Sequence, residues 1–427
     1  MANDIPPEII ESILVNLQSE EHTLSNCALV QKSWSLPAQR YLFQHIILEF
    51  PSFYPKKQWN VEHAAAYNER NEQLIGILDE KPFLKSCIRA VQLSSPGDVN
   101  VESGDHVQCR IQDTMYLSTI PVIERLDNVE SLTLSYGDWD NLSLGLRETL
   151  IHLLSRPSLT RITLKSFSFS SLNAMASVLS QASYLKMLRI TILYCDDWDP
   201  PSSSISLAPR SIQLDESLCL RCLQRSTILT WLQQDSCPFK VCNLRRLMLD
   251  WVSFSDEEIA SILQYIGGNL QELILEGPFL KAQSQYTASH ISQTNNLRSL
   301  TVIGFLEPAP LLPIPWILNF FRHIQEFDVQ KVSLRQLTLH ISRRYGPGPY
   351  GVSETPWTSD QQDEWTAVDT LFTEPRFNSL EMVNVKLAGY SRTAFNDVRE
   401  ILLGKMSLLE GLGKLKIELT TDYPYLH

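Results

Sequence analysis

Leu244-Arg-Arg-Leu247-Met-Leu249, Leu270-Gln-Glu-Leu273-Ile-Leu275 and Leu297-Arg-Ser-Leu300-Thr-Val302 follow one another at intervals of 26 and 27 residues. All three fit one template, apolar-x-x-apolar-x-apolar. The last two apolar positions are two apart, so in a strand they face the same side. An interval of this length holds one short strand and one helix. No such unit buries its apolar face alone, so neighbours must stack to make a core.

The template recurs upstream at Ile88-Arg-Ala-Val91-Gln-Leu93, Val129-Glu-Ser-Leu132-Thr-Leu134, Leu159-Thr-Arg-Ile162-Thr-Leu164 and Leu185-Lys-Met-Leu188-Arg-Ile190. Downstream it recurs at Ile324-Gln-Glu-Phe327-Asp-Val329, Phe377-Asn-Ser-Leu380-Glu-Met382 and Leu412-Gly-Lys-Leu415-Lys-Ile417. From 185 to 244 is 59 residues and from 324 to 377 is 53, each about two repeats. Each gap contains a loop insertion rich in proline and in serine or glycine, near 196–210 and near 343–360. Helical periodicity fills the spaces between strands at 256–266, capped by Ser255 or Asp256, and at 144–154, 172–179 and 392–403. The pattern resembles leucine-rich repeats. That resemblance implies an α/β solenoid with parallel strands on the concave face and helices on the convex face. The family's turn position, usually Asn or Cys, is held here by Phe167, Leu193, Val252, Phe305, Val332 and Val385, so the repeats are degenerate.

Ahead of the repeats stands Ile5-Pro6-Pro7-Glu8-Ile9-Ile10-Glu11-Ser12-Ile13-Leu14. Proline suits a first helical turn and Glu8 suits the positive helix end. Ile9, Ile10, Ile13, Leu14 and Leu17 make an apolar stripe at helical spacing. A second helix capped by Ser19 carries Leu24, Cys27, Ala28 and Val30, and a third, capped by Ser35, carries Arg40 to Phe43. With Leu29-Val30-Gln-Lys-Ser-Trp34, this stretch of about 43 residues resembles an F-box. It departs in Ile5 for the commoner Leu, in the second proline Pro7 and in Gln31.

The F-box resemblance implies a partner, the small Skp-type adaptor of cullin–RING ubiquitin ligases. It implies that Ile5, Pro6, Ile9, Ile10, Leu14, Leu29, Val30 and Trp34 carry the contact. Some apolar residues of the unit, Ile13, Leu17 and Leu42 among them, are expected to pack against the first repeat instead. The expected organisation is an F-box over 1–48, a helical linker over 49–85, with a helical stretch Glu62–Leu78, and the solenoid over 86–427.

The composition is globular, 44% hydrophobic and 20% charged, with a net charge of −12 over 427 residues. An acidic chain is a poor general ligand for nucleic acid or anionic membranes, so neither is an expected partner. There is no basic-then-apolar leader and no apolar run of spanning length. Eight cysteines in so long a chain do not make a disulfide framework, so a reduced cytoplasmic or nuclear protein is expected.

Chemistry-bearing motifs are sparse. Cys219-Leu-Arg-Cys222 with Cys237 and Cys242 has a loosely zinc-like rhythm, but the second pair is too widely spaced and the stretch is apolar, so neither a metal nor another cofactor is expected. Phosphate-loop, nucleophile-elbow and His-Glu-x-x-His signatures are absent, so no catalytic residue is assigned and the chain is expected not to be an enzyme.

Strand alternation places the variable positions on the concave face. Arg161, Lys165, Arg189 and Arg246 come first, then Asp250, Glu272, Glu276, Glu326, Asp328 and Glu381. The expected target surface is thus basic towards the N-terminus and acidic towards the C-terminus, with the basic part of a target at the C-terminal half. Trp198, Tyr350 and Trp357 are candidate aromatic anchors in the loops. The resulting expectation is a non-catalytic substrate receptor of a Skp–cullin–F-box ligase. A ubiquitin-independent scaffold is the alternative. An enzyme hidden in the solenoid is a further one, marked by an enclosed pocket of His and acid side chains.

Overall fold

The computed structural model describes residues 5–18, 20–50, 61–94, 106–199, 212–221, 223, 227–250, 254–277, 296–305, 333–342 and 359–420, with 314, 317, 318 and 321. The chain divides into two units, Met1–Ile212 and Gln213–His427.

The first unit opens with three helices, α1 (Pro7–Val15), α2 (Glu21–Val30) and α3 (Lys32–Leu42). Ile10, Leu14, Leu24 and Ala38 form their buried centre, with Leu17, Cys27, Trp34, Tyr41 and Leu42 packed around it. Pro7 sits in the first turn of α1, where a missing N–H costs nothing. The third helix starts at Lys32 after an extended Gln31, so Ser35 lies inside it and is not its cap. Ser19, the expected cap of α2, lies outside the described residues.

A parallel sheet follows, with β1 (His45–Glu49), β2 (Ala90–Ser94), β3 (Ser131–Ser135), β4 (Arg161–Ser171) and β5 (Met187–Asp197) in chain order. The pairing registers stack the template residues: Ile46 on Val91, Leu132, Ile162 and Leu188, then Leu48 on Leu93, Leu134, Leu164 and Ile190. All ten are buried, which is why the template recurs. The sheet begins at His45, inside the segment assigned to the F-box and linker. Phe43-x-x-Ile46-x-Leu48 is a copy of the template that hides at the end of the helical cluster.

Helices α4 (Val61–Glu80), α5 (Pro82–Cys87), α6 (His106–Glu124), α7 (Leu144–Leu154) and α8 (Leu172–Leu179) alternate with these strands. Helix α4 packs on α6, and α6 on α7. Tyr67 and Thr119 hydroxyls meet at 2.8 Å and Asn71 donates to Ser118 at 3.0 Å, so two polar contacts join α4 to α6. The segment around α4 is therefore the helical part of a repeat, not a separate linker.

Tyr136, Ser166 and Ile192 have φ of 55°, 50° and 59°. They follow Ser135, Lys165 and Thr191, which are in register, so the three left-handed residues form a column. Each adds one residue to the strand's alternation. Beyond the added residue, Phe167, Phe169, Leu193 and Cys195 point inwards, and the first three are 2% exposed or less. Phe167 and Leu193 thus fill this turn with apolar volume.

In the second unit the parallel strands are β6 (Ser217–Arg221), β7 (Arg246–Asp250), β8 (Glu272–Gly277), β9 (Ser299–Phe305), β10 (Gln336–Ser342), β11 (Met382–Ala388) and β12 (Leu415–Thr420). Leu218, Leu247, Leu273, Leu300, Leu337, Val383 and Leu415 stack in one row. The described helices are α9 (Thr227–Gln233), α10 (Asp256–Ile266), α11 (Ser359–Phe372), α12 (Arg392–Lys405) and α13 (Ser407–Gly411). Ser255 and Glu258 form a full capping box at the start of α10.

The strand pairing departs from the sequence template at two places. β9 pairs with β10, so Leu334-x-x-Leu337-x-Leu339 is the next repeat in the ladder, in place of Ile324–Val329, which lies outside the described residues. The carbonyl of Arg298 confirms the order by accepting from both Arg335 N and Gln336 N, as Gln271 O accepts from Arg298 N and Ser299 N. Phe377 ends a 3-10 turn and joins Phe321 and Phe372 in an aromatic cluster with ring centres 5.0–5.5 Å apart. The template therefore starts three residues later, at Leu380-x-x-Val383-x-Val385. The gap from 185 to 244 holds β6, a repeat hidden behind Asp215 at the first apolar position.

Candidate interaction surfaces

Helices α1 to α3 bury only part of their apolar surface. Of the eight residues expected to meet an adaptor, Ile10 and Leu14 are core, at 1% and 0% exposed. Trp34 is half-buried against that core. Ile5, Pro6, Ile9, Leu29 and Val30 are exposed, Leu29 at 82% and Val30 at 75%. Ile13, expected to pack inwards, is exposed at 39%, whereas Leu17 and Leu42 pack on the cluster core. Glu11 ties the first helix to the third by accepting from Tyr41 Oη at 3.0 Å and lying 3.6 Å from Arg40. Burial and the Glu11 carboxylate together push the Tyr41 phenol above its usual pKa.

The open face of β3 to β5 carries Arg161, Lys165 and Arg189, all exposed. Arg161 Nη2 is 3.1 Å from Glu130 Oε2, and Arg89 Nη1 is 3.1 Å from Glu130 Oε1. Lys165 Nζ lies 5.9 Å from the centre of the Tyr136 ring, a cation–π distance. Tyr136 and Tyr194 are both exposed. Trp198, a candidate anchor, is instead buried at 5%. Tyr350 and Trp357 lie outside the described residues.

The corresponding face in the second unit is largely covered. Cys219, Met248, Ile274 and Ile303 form an apolar cluster along it. Arg221, Asp250, Glu276 and His340 are buried beside them, at 8%, 5%, 4% and 7%. Arg221 Nη2 is 2.8 Å from Glu276 Oε1. Arg246 and Glu272 pair at 3.2 Å near the surface. Asp250 and Glu276 are therefore interior groups and not part of a solvated acidic face. Glu381 is exposed, 3.6 Å from Arg335, but it precedes β11 and lies off the strand rows, because the template starts at Leu380. Glu326 and Asp328 lie outside the described residues. Sequence alternation located these rows; it carried no signal that those of the second unit are covered.

Of the zinc-like cysteines, Cys219 and Cys237 are buried, Cys242 is half-buried and Cys222 lies outside the described residues. Among the described residues no group of His, Cys, Asp and Glu is arranged to hold a metal ion. No described helix is long and apolar enough to cross a membrane.

No protein-family model matches the chain, and no curated protein matches it. A solved structure titled "Crystal structure of TLR13-ssRNA13 complex" is similar at 14% identity with a TM-score of 0.32, covering 78% of this chain. The chain spans about half, 47%, of the length of that one. The sheets described above, parallel and in chain order with a repeated register, make this an α/β fold resembling a leucine-rich-repeat solenoid.

Proposed function

We propose that the protein is a non-catalytic substrate receptor, docking on a Skp-type adaptor of a cullin–RING ubiquitin ligase through α1 to α3 and binding a protein target through its repeats. The observation that carries this reading is the exposure of Leu29 and Val30 at the end of α2, with Ile9 exposed on the first helix and Ile5 exposed just ahead of it. Adjacent branched apolar side chains three-quarters exposed are costly in water and are the kind of surface a partner covers. Fewer than fifty residues make a small core, so such surface has no place to go within the cluster. Binding a target beside the ligase raises its effective concentration at the ubiquitin donor without chemistry from this chain. Capture of a purified Skp-type adaptor tests the reading. Leu29→Asp with Val30→Asp is expected to abolish capture, and unchanged capture overturns the adaptor assignment.

The buried row Arg221, Asp250, Glu276 and His340 is the observation that favours an enzyme instead. Its composition argues against that: the Arg221 charge is matched by Glu276 at 2.8 Å, and its neighbours are the packed side chains of Cys219, Met248 and Ile274. A hydrolytic activity lost in His340→Ala would restore the enzyme reading.

A further inference from the structure

Strand β12 comes last in the sheet, and among the described residues no strand pairs with its outer edge. Lys414 O accepts from Val383 N of β11 at 2.7 Å. Backbone groups point to alternate edges along a strand, so Lys416, Glu418 and Thr420 also turn theirs to β11. Leu415, Ile417 and Leu419 turn their N–H and C=O groups outwards. Such an edge is a template for another strand. The side chains of these three lie in the core rows. Their partners Val383, Val385 and Leu387 are fully buried, whereas Leu415 and Ile417 are half-buried and Leu419 is 40% exposed. Leu408 and Leu412, on the approach to β12, are more than half exposed. The last described repeat thus ends in apolar surface, where a stack of repeats needs a polar cap. The opposite face of β12 carries Lys416 and Glu418, which form an ion pair with each other.

We propose that a second copy of this chain pairs with β12, antiparallel, about a two-fold axis at Ile417. Outward-pointing groups pair only with outward-pointing groups, so the possible registers differ by steps of two residues. With Ile417 facing its own copy, Leu415 faces the second copy's Leu419, and Lys416 of each copy faces Glu418 of the other. Pairs at the Lys416 and Glu418 positions are the close ones, about 4.5 Å apart at Cα. Centring on Lys416 or on Glu418 sets like charges face to face, and centring on Leu415 sets Lys414 against Lys416. Centring on Leu419 sets Glu418 against Thr420. The Ile417 register alone joins opposite charges without opposing like ones, and it extends the apolar rows across the axis. Any strand can use the hydrogen bonds of the edge, but this sequence of charges is complementary to itself. A two-fold contact closes at two chains, so it also protects the edge from open-ended pairing. The proposal goes beyond the receptor reading and does not depend on it.

The test is sedimentation equilibrium of the full chain at micromolar concentrations, where the parent is expected to be a dimer. Lys416→Glu sets acid against acid at both pairs across the axis, and Glu418→Lys sets base against base. Each is expected to weaken the dimer by about tenfold or more, since two attractions become repulsions. The two single variants mixed in equal amounts are expected to recover the parent's association, because each then meets its opposite in the other chain. Mixing restores nothing within a chain, so recovery isolates the contact between copies. The exchange in one chain, Lys416→Glu with Glu418→Lys, is expected to dimerise like the parent. A monomeric parent overturns the proposal and means that the edge is covered within the chain or left to a different partner. Single variants that associate as the parent does, or a mixture that stays apart, overturn it as well.

Discussion

Arg221 reaches across β7 to Glu276, two strands away, and closes a 2.8 Å ion pair whose side chains are 9% and 5% exposed. Removing one partner strands the other charge in the interior. Arg221→Met and Glu276→Gln are each expected to destabilise the protein by about 3–5 kcal/mol. Arg221→Met combined with Glu276→Leu should recover much of that loss, because a packed apolar pair substitutes well for a buried ion pair. Urea denaturation of the singles and the double gives the coupling; singles costing under about 1 kcal/mol would show that the pair is solvated.

Leu14 and Leu29 are both leucines of the opening helical cluster, yet one is 0% and the other 82% exposed. Leu14→Ala is expected to cost about 2–5 kcal/mol by leaving a cavity among Ile10, Leu24 and Ala38. Leu29→Ser is expected to stay within about 0.5 kcal/mol of the parent. Thermal melts compare the two directly. Equal losses would mean that the apolar end of the second helix is covered within the chain.

Asp79, at the end of α4, accepts from Arg125 Nε at 3.0 Å and from Lys85 Nζ at 2.9 Å. Hydrogen bonds from Arg125 first and Lys85 second hold its carboxyl at about 2, below the usual 3.8. A depressed carboxyl stabilises the fold above its unfolded pKa and loses that contribution as pH falls through the folded one. The difference in melting temperature between the parent and Asp79→Asn should therefore be level above about pH 4 and close between pH 4 and 2. A difference that persists at lower pH would mean that charge is not its origin.

Cys195, in the outer half of β5, is 8% exposed. Burial, and then the neighbouring Asp196 and Asp197 charges, push its thiol up to about 12. Only the thiolate reacts with iodoacetamide. At pH 8 its labelling in the native protein should be at least about a hundredfold slower than in urea, read by peptide mass spectrometry. Comparable rates would place that end of the strand open to water.

Where the template is intact, sequence located the strands closely: Leu159 to Leu164 leads into β4 and Leu270 to Leu275 into β8. The reading failed where another apolar residue imitated the template. Phe377 fits the spacing but belongs to an aromatic cluster. It also failed where the first position is polar, as at Asp215, or belongs to the helical cluster, as at Phe43. The open and covered faces share one alternation, because period two reports which side a residue is on and not what lies above it. Burial of Asp250 and Glu276 is a tertiary fact. Tyr41, the partner of Glu11, and Arg125, one partner of Asp79, lie 30 and 46 residues away, and no local spacing encodes them.

The column of Tyr136, Ser166 and Ile192 works as a shift of phase built into three adjoining strands. One residue each is enough to turn a stretch that would otherwise show phenylalanines to water into one that shows serines. Were Ser166 ordinary strand, with no residue lost, Phe167 and Phe169 would change places with Ser168 and Ser170. The same change of φ in a connecting loop would merely redirect a tether. Here the backbone region of one residue works like a frameshift: changing it re-sorts every side chain beyond it.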